Sequence, residues 1–290
     1  MGRTLKQIYD SDDIIVSIGV FNPLTALLAE KIGFESAILV GWSLGAALGV
    51  TEPLTTMTET VDASRQICSV SNIPLSVDAG AGWGNATMIK RLVKNFEMAG
   101  VQGIHLEDQV VPKRIDYHKG MHYIVSAEEM MLKLDCAVKA RSSEDFLIIA
   151  RTDAGRNEGE NFDHAIERAK LYAKSGADIV KVFARTEEEM INAPKLVDYP
   201  LWYVASEGLG RPIPTPAEAK AMGYKGISYP QTALQAAYRA VKQVYENIYN
   251  TGSSGVSKAD AKKIADEIMG IIPIDELAHL DPQNLKLINN

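Results

Sequence analysis

The chain has 290 residues, of which 46% are hydrophobic, and its formal net charge is −7 at pH 7. This length suits a single α/β barrel with a large buried core. The acidic balance and the lack of a basic block argue against nucleic acid or an anionic membrane as a partner, and no apolar run is long enough to span a bilayer. Two cysteines and polar first residues without a signal-peptide core lead us to expect a cytoplasmic location.

Short apolar runs that alternate with helical patterns dominate the first 250 residues, after a predicted leading helix over residues 3–10. The predicted strands are 14–19, 37–41, 75–77, 103–106, 146–150, 177–183, 201–205 and 224–229. Helix starts between them include Thr215-Pro216, an N-cap residue followed by proline at the first helical position. Strands separated by helices imply parallel pairing with right-handed crossovers, so the pattern favours a closed (β/α)8 barrel of the TIM type over an open doubly wound sheet.

The end of the chain does not continue this alternation. A flexible break over 251–255 (Thr-Gly-Ser-Ser-Gly) follows the last predicted barrel helix, and the segment after it is amphipathic over 261–269 and 271–280. We therefore predict a barrel over residues 1–250 and a helical tail over residues 251–290 that packs on a neighbouring subunit. The alternative is a tail that folds back on its own barrel.

Carboxylates follow the predicted strands at the end where barrel enzymes carry their chemistry. Glu52 follows the second strand, Asp78 the third and Glu107 the fourth. Carboxylates that converge on one cavity repel one another unless a hard divalent cation neutralises them. The sequence therefore predicts that Glu52, Asp78 and Glu107 bind Mg²⁺ or Mn²⁺.

Two further features suit a small anionic substrate. Arg151 ends the fifth strand, and its planar guanidinium matches a carboxylate or phosphonate group. The glycine-rich segment over 41–45 is predicted to be a turn, in which Gly41, Trp42 and Ser43 present N–H groups to a developing oxyanion. Together these features describe an enolate-forming site for a small anionic acid. In the structural alternative, Arg151 neutralises Asp153 and Ser43 is a turn hydroxyl.

Five stretches resemble the isocitrate lyase/phosphoenolpyruvate mutase superfamily, and the resemblance covers nearly the whole chain. These stretches are Gly41–Gly49, Asp78–Asn85, Leu106–Lys113, Ala150–Ala154 and Thr215-Pro216. The sequence is most similar to the smaller members: methylisocitrate lyase, dimethylmalate lyase, oxaloacetate hydrolase and the phosphonomutases. The resemblance implies a (β/α)8 barrel with its last helix swapped between partners, a homotetramer, Mg²⁺, and a loop after the fourth strand that closes over substrate.

The resemblance also implies roles for individual residues. Asp78 and Glu107 match metal-site acids, and Glu52 stands where the family often has Asp. Arg151 matches the arginine that holds the substrate anion, and the segment 41–43 matches the oxyanion turn. Lys113 matches the lysine at the start of the gating loop.

Several positions depart from the family pattern. Gly80 replaces the second metal-site acid, and Ile115 replaces the loop cysteine that serves the lyases as general acid. Apolar residues replace polar ones at Val40, Phe183 and Val204. The proton donor must then come from elsewhere in the loop, and the candidates are Asp116, Tyr117 and His118.

Three functions remain open at this point. The first is a Mg²⁺-dependent lyase that cleaves or forms a C–C bond in a small 2-hydroxy or 2-keto (di)carboxylic acid through an enolate. The second is a phosphonate mutase or hydrolase of the same superfamily. The third is a barrel that has lost catalysis and serves as a binding or assembly subunit, as the departures at positions 80, 115 and 183 suggest. The retained Asp78, Glu107 and Arg151 favour an enzyme.

Overall fold

The computed structural model describes residues 2–156 and 161–272, in which parallel strands form a ring surrounded by helices. The strands are β1 (Ile15–Gly19), β2 (Ser36–Leu39), β3 (Leu75–Asp78), β4 (Gly103–Glu107), β5 (Leu147–Arg151), β6 (Ile179–Lys181), β7 (Trp202–Val204) and β8 (Gly226–Tyr229). The helices are α1 (Leu5–Asp10), α2 (Pro23–Ile32), α3 (Gly41–Ala47), α4 (Met57–Cys68), α5 (Ala86–Met98), α6 (Ala127–Ala140), α7 (Phe162–Lys174), α8 (Glu187–Val197), α9 (Pro216–Met222), α10 (Thr232–Thr251) and α11 (Lys258–Met269).

The strand order around the ring is β6-β5-β4-β3-β2-β1-β8-β7, with every pairing parallel. The ring closes between β6 and β7, where the Val180 N–H donates to the Pro200 carbonyl at 2.9 Å and Val180 forms a parallel bridge with Leu201. The predicted (β/α)8 barrel is therefore confirmed.

The strands are buried on both faces, which explains why they appear as continuous apolar runs in the sequence. One face packs on the surrounding helices, and the other fills the barrel with side chains such as Ile149, Ile179 and Trp202. At the amino-terminal end of the barrel, Leu5 of α1 joins this inner core, and its N–H donates to the Gln102 side chain at 2.8 Å. The opposite end is left for the polar residues that follow the strands.

The glycine-rich segment after β2 is a helix, so the prediction of a turn was wrong. Val40 is extended and α3 begins at Gly41. A Cβ atom at Gly41 would lie 2.8 Å from the Glu52 Cγ, and one at Gly45 would lie 2.7 Å from the Glu52 backbone nitrogen. The glycines are needed because α3 packs directly on the 3-10 helix Glu52–Leu54, and this tertiary contact is not visible in the local sequence.

The long loop after β4 is ordered and closes at its base. The Val110 N–H donates to the Tyr123 carbonyl at 2.8 Å, and the Val125 N–H donates to the Asp108 carbonyl at 2.8 Å. Between these contacts lies a 3-10 helix, Ile115–Lys119. The loop thus leaves and re-enters the barrel at one place.

The chain divides into two compact units, one ending at Leu234 and the other beginning at Gln235. In the second unit, α10 has no buried residue, and it exposes Tyr238, Val241, Tyr245 and Ile248 at helical spacing. Packing of the tail on a neighbouring subunit stays a prediction, and the predicted pattern over 271–280 lies almost wholly outside the described residues. No helix in the described part of the chain has the length and apolarity that a membrane crossing requires.

Candidate active site

Three strand ends bring Asp78, Glu107 and Arg151 together. Asp78 ends β3, Glu107 ends β4 and Arg151 ends β5, and Glu107 pairs in register with Arg151. The Arg151 Nη1 atom lies 3.0 Å from the Glu107 Oε2 atom and 3.6 Å from the Asp78 Oδ2 atom. The predicted convergence of these residues at the carboxyl edge of the barrel is therefore observed.

Arg151 is also held from its other side by Asp153. The Arg151 Nε and Nη2 atoms donate to the two Asp153 oxygens at 3.1 and 3.0 Å. Burial lowers the pKa of Arg151, but Asp153 and Glu107 outweigh burial and raise that pKa well above its usual range. The structural alternative is observed, because Arg151 neutralises Asp153, and binding of a substrate anion by Arg151 stays a prediction.

Lys113 reaches the same carboxylates from the loop after β4. Its Nζ atom lies 2.8 Å from the Glu107 Oε1 atom and also contacts the Glu52 Oε1 atom. Burial lowers the pKa of Lys113, but Glu107 and Glu52 raise it above its usual range overall. Lys113 therefore contributes a fixed positive charge and does not serve as a general base at neutral pH.

The predicted metal-binding set of Glu52, Asp78 and Glu107 stays a prediction. Within residues 2–156 and 161–272, no group of three His, Cys, Asp or Glu residues is placed to hold a metal ion. Glu52 is paired with Lys113. The two Glu107 oxygens lie 2.8 Å from the Lys113 Nζ atom and 3.0 Å from the Arg151 Nη1 atom, and both are buried without an aligned hydrogen bond from the described residues. Asp78 lies close by, since it shares the Arg151 Nη1 atom with Glu107. Two carboxylates completed by water and substrate oxygens are a common Mg²⁺ set, so Asp78 and Glu107 fit this ion.

Gly80 leaves open space beside Glu107. A Cβ atom at Gly80 would lie 3.9 Å from the Glu107 Oε1 atom, so a longer side chain here would enter the carboxylate cluster. The glycine has φ +50°, a left-handed conformation that most residues avoid. The departure at this position thus removes a charge and leaves room next to the remaining acids.

Two cavities meet at this cluster and share Glu52 and Asp78. The first has a volume of about 230 Å³ and is also lined by Gly41 and Lys113. The second has a volume of about 60 Å³ and is bounded by Trp42, Tyr117, Arg151, Lys181 and further residues of the later strands and loops.

The second cavity combines positive charge with apolar walls. The guanidinium carbons of Arg151, Arg156 and Arg211 lie 4.7, 4.5 and 4.5 Å from the centroid of the Phe183 ring. Burial, and then Arg156, lower the pKa of Arg211 to about 10, so Arg211 is still charged at neutral pH. It forms no ion pair with any described residue and is available to an anion. The apolar replacements Val40, Phe183 and Val204 all line this cavity.

The three candidate proton donors differ in their position. Tyr117 lines the second cavity, and its ring centroid lies 3.9 Å from the Lys113 Nζ atom. Burial, and then Glu52, raise the pKa of Tyr117, which keeps its phenol protonated. Asp116 lines neither cavity, and its Oδ1 atom lies 3.3 Å from the Lys119 Nζ atom. His118 is exposed, and its Nε2 atom contacts the Thr51 hydroxyl. Of the three candidates, only Tyr117 lines either cavity, and the choice of proton donor stays a prediction.

The residues of α3 divide between packing and lining the cavities. Gly41 lines the first cavity and Trp42 the second. Ser43 is buried and lines neither, and its hydroxyl donates to the Pro230 carbonyl at 3.2 Å. The Ser43 hydroxyl thus makes a packing contact, and only the Ser43 backbone N–H is left for the predicted oxyanion contact.

Sequence reasoning missed Lys181, Arg156 and Arg211. Lys181 had a visible signal, because it is a charged residue inside an apolar strand and shares a strand face with Phe183. No sequence signal marks Arg211, because it lies in the loop after β7. It lines the second cavity because that loop folds over the end of the barrel.

The chain is similar to known proteins over most of its length. The family model for phosphoenolpyruvate phosphomutase matches residues 5–249. The chain is 37% identical over 254 residues to a 2-methylisocitrate lyase of Aeropyrum pernix, covering 87% of this chain and 81% of that protein. It is 32% identical over 282 residues to the 2,3-dimethylmalate lyase of Eubacterium barkeri, covering 95% and 96%.

A solved structure shows the same architecture with ligands present. It is a phosphonopyruvate hydrolase in complex with oxalate and Mg²⁺, with a TM-score of 0.83, 27% identity, and coverage of 97% of this chain and 98% of that one. The family match spans most of the sequence, including every strand of the barrel. The chain belongs to the phosphoenolpyruvate phosphomutase family, within the isocitrate lyase/phosphoenolpyruvate mutase superfamily.

Proposed function

We propose that the protein is a Mg²⁺-dependent carbon–carbon lyase, acting through an enolate on a small 2-hydroxy or 2-keto dicarboxylic acid. The observation that carries the proposal is the convergence of Asp78, Glu107 and Arg151 under the Lys113 ammonium. Relatives of this chain over most of its length are named as lyases, which supports C–C chemistry over other reactions of the superfamily.

Each residue of the site has a defined task in this proposal. Arg151 binds a substrate carboxylate beside the 2-oxygen, and the first N–H groups of α3 face the developing oxyanion. Asp78 and Glu107 would hold Mg²⁺, which would supply positive charge to offset the negative charge that develops on the substrate. Tyr117 holds the proton that the departing carbanion needs, and Lys113 adds positive charge and closes the loop against water.

The residues that line the second cavity indicate which class of diacid would bind. Arg211 is suited to a second carboxylate, because it is charged and has no ion-pair partner within the described ranges. Phe183, Val204 and Val40 would surround an alkyl substituent on the carbon chain. We therefore propose an alkyl-substituted 2-hydroxy diacid as the substrate class.

A substrate screen tests the proposal. Alkyl-substituted malates and related 2-hydroxy diacids are incubated with and without Mg²⁺, and the release of a keto acid is followed. Arg151→Ala should lower kcat/KM by about 10²–10³-fold, because it removes a charge-assisted contact from a buried site. Arg65→Ala, which removes an exposed arginine paired with Asp62, is the control and should leave turnover unchanged. Unchanged turnover in Arg151→Ala would refute this assignment.

A phosphonate substrate is the second candidate. The arginine-rich second cavity suits a phosphonate as well as a carboxylate, and one structural relative is named as a phosphonopyruvate hydrolase. Adding phosphonates to the same screen separates the two, since P–C hydrolysis releases inorganic phosphate. A non-catalytic barrel is the third candidate. Calorimetric titration with Mg²⁺ and oxalate tests it, because binding of neither ligand would favour a barrel that has lost its active site.

We further propose a homotetramer, a dimer of helix-swapped dimers, located in the cytoplasm. The exposed apolar positions Tyr238, Val241, Tyr245 and Ile248 of α10 support the assembly, because an apolar stripe at this spacing needs a partner. The free thiols of Cys68 and Cys136 suit a reducing compartment.

A further inference from the structure

Lys181 is a buried lysine that the proposed lyase mechanism does not use. It ends β6, is 5% exposed, and lines the second cavity next to Arg151, with which it pairs in register. Its Nζ atom makes no hydrogen bond or ion pair with any residue of 2–156 or 161–272. A charged group is almost never buried without a partner, so this position calls for an explanation.

The other buried lysines near the site are satisfied. Lys113 contacts two carboxylates, and the Lys133 Nζ atom donates to the Ala81 carbonyl at 3.2 Å. Lys181 instead shares its cavity with the cations Arg151, Arg156 and Arg211. An unpaired amine among cations is favoured in its neutral form, and a neutral lysine amine is a nucleophile.

Burial and a neighbouring arginine also favour the neutral form of the Lys181 amine. Burial, and then Arg151, lower the pKa of Lys181 to about 7, against the opposing influence of Asp78, Asp153 and Glu107. The other charged or titratable groups that line the cavity are Glu52, Tyr117, Arg156 and Arg211. About half of the molecules would thus carry a free amine at neutral pH.

We propose that Lys181 forms an imine with the 2-oxo carbon of a keto acid whose carboxylate is bound by Arg151. The inference relies on the proposed function only for the binding of such an acid in the second cavity. It adds a covalent mode of activation to a barrel in which Gly80 replaces a metal-site acid.

The chemical step balances without an additional reactant. The Nζ lone pair adds to the C2 carbon, the carbonyl π electrons move to oxygen, and a proton passes from nitrogen to oxygen to give a carbinolamine. The hydroxyl then leaves as water with one proton from the medium, and a C=N⁺ bond forms. The products are one iminium and one water for each amine, ketone and proton, and water reverses the reaction.

Ser228 provides a second, independent observation in the same cavity. It lies in β8, it lines the second cavity, and its Oγ atom is buried without a hydrogen-bond partner among the described residues. A buried hydroxyl without a partner is costly, so it points to an oxygen that is supplied from outside the chain. The carbinolamine hydroxyl, or the keto oxygen before it, would satisfy this group.

Reductive trapping tests the inference on the full chain. The protein is incubated with pyruvate and sodium borohydride in the presence of a metal chelator, and digested peptides are analysed by mass spectrometry. We expect one reduced pyruvate adduct per chain, on Lys181. No adduct, or an adduct spread over surface lysines, would overturn the proposal.

Variants sharpen the result. Lys181→Met and Lys181→Arg should abolish the adduct, and Ser228→Ala should slow its formation. Lys133→Met is the matched control, because it removes another buried lysine and should keep the Lys181 adduct. If the Lys181 variants do not fold, the adduct position in the wild-type chain decides the question.

The same preparations separate this inference from the proposed function. Turnover of 2-hydroxy diacids with Mg²⁺ is measured in parallel with trapping. An adduct on Lys181 without lyase turnover supports the imine and counts against the proposed lyase. Turnover without an adduct overturns the imine and leaves the lyase intact.

Discussion

The charged side chains at this site form ion pairs with one another, and Arg151 makes three of these pairs. It pairs with Asp153, Glu107 and, at longer range, Asp78, while Lys113 pairs with Glu107 and Glu52. Removing one member of a buried ionic cluster leaves an uncompensated charge, which costs more than the pair contributes. The cluster is therefore fixed in place before any substrate enters.

Tyr117 is the residue through which proton donation can be tested. Tyr117→Phe should lower kcat by about 10²–10⁴-fold while changing KM little, because it removes a proton donor and keeps the ring beside Lys113. Steady-state kinetics on the diacid found in the screen measure this effect. Asp116→Ala and His118→Ala should stay near wild type, since neither residue lines either of the two cavities at the site. A larger loss in either of those two would reassign the donor.

Lys181 should show an unusual dependence on pH. Its pKa is lowered to about 7 by burial and then by Arg151, so the neutral amine fraction rises as pH increases through that value. In competitive acetylation with acetic anhydride, Lys181 should gain reactivity around neutrality. Lysine amines that are free in water should gain it only at a more alkaline pH. A Lys181 profile that matches the exposed lysines would show that the amine is charged at neutral pH.

At the scale of elements, α3 and the 3-10 helix Glu52–Leu54 form one packed unit. The absence of Cβ atoms at Gly41 and Gly45 lets the helix contact the backbone and side chain of Glu52. This contact holds Glu52 where Lys113 can reach it. The packing of two short elements thus positions part of the charge cluster.

Gly45→Ala tests that packing. Its Cβ atom would lie 2.7 Å from the Glu52 backbone nitrogen, so the helix or the turn must shift. We expect the free energy of unfolding to fall by about 1–3 kcal/mol, a typical cost of overpacking. Urea denaturation measures the change, and Ala46→Ser, at an exposed position of the same helix, is the control. Wild-type stability in Gly45→Ala would mean that α3 does not pack as described.

A second group of contacts joins β4, β5 and α7 beneath the loop. The Asp108 carboxylate accepts hydrogen bonds from the Thr152 hydroxyl at 2.7 Å, the Asp153 N–H at 2.9 Å and the Tyr172 hydroxyl at 2.8 Å. The Asp108 carbonyl accepts the Val125 N–H that closes the loop. Asp108 therefore has a positioning role for the loop and for Asp153, although sequence alone places it beside Glu107 as another strand-end acid.

At the scale of the whole molecule, the proposed assembly can be measured directly. Light scattering coupled to size exclusion should give a mass near four times the 31.6 kDa of the chain. Replacing both Tyr238 and Tyr245 with Lys should lower that mass, because it places charges on the exposed apolar stripe of α10. The pair Lys242→Glu and Glu246→Lys, which keeps an exposed ion pair on α10, is the control. A monomeric wild-type chain would refute the tetramer.

The sequence predicted the barrel well because its signals are local. Alternating apolar runs and capped helices follow from periods that neighbouring residues express, as at Thr215, where the predicted N-cap accepts the Glu218 N–H. Asp78, Glu107 and Arg151 could be placed together because parallel strands share one carboxyl edge. The α3 helix could not be predicted, because small residues are compatible with turn and helix alike and a distant contact decides between them.

The sequence by itself determined the ring of strands, the family and the three charged residues at the strand ends, since each depends on patterns within a few residues or on shared motifs. Only the tertiary structure decided which charges meet. It pairs Lys113 with Glu52, and it brings Tyr117 and not His118 to the second cavity. Among the residues that the structure describes, it leaves Lys181 beside arginines and without an ion-pair partner. These outcomes depend on how the loops cross the end of the barrel and on which side chains come within a few ångströms of one another. Local sequence does not determine either, because the residues concerned are far apart along the chain.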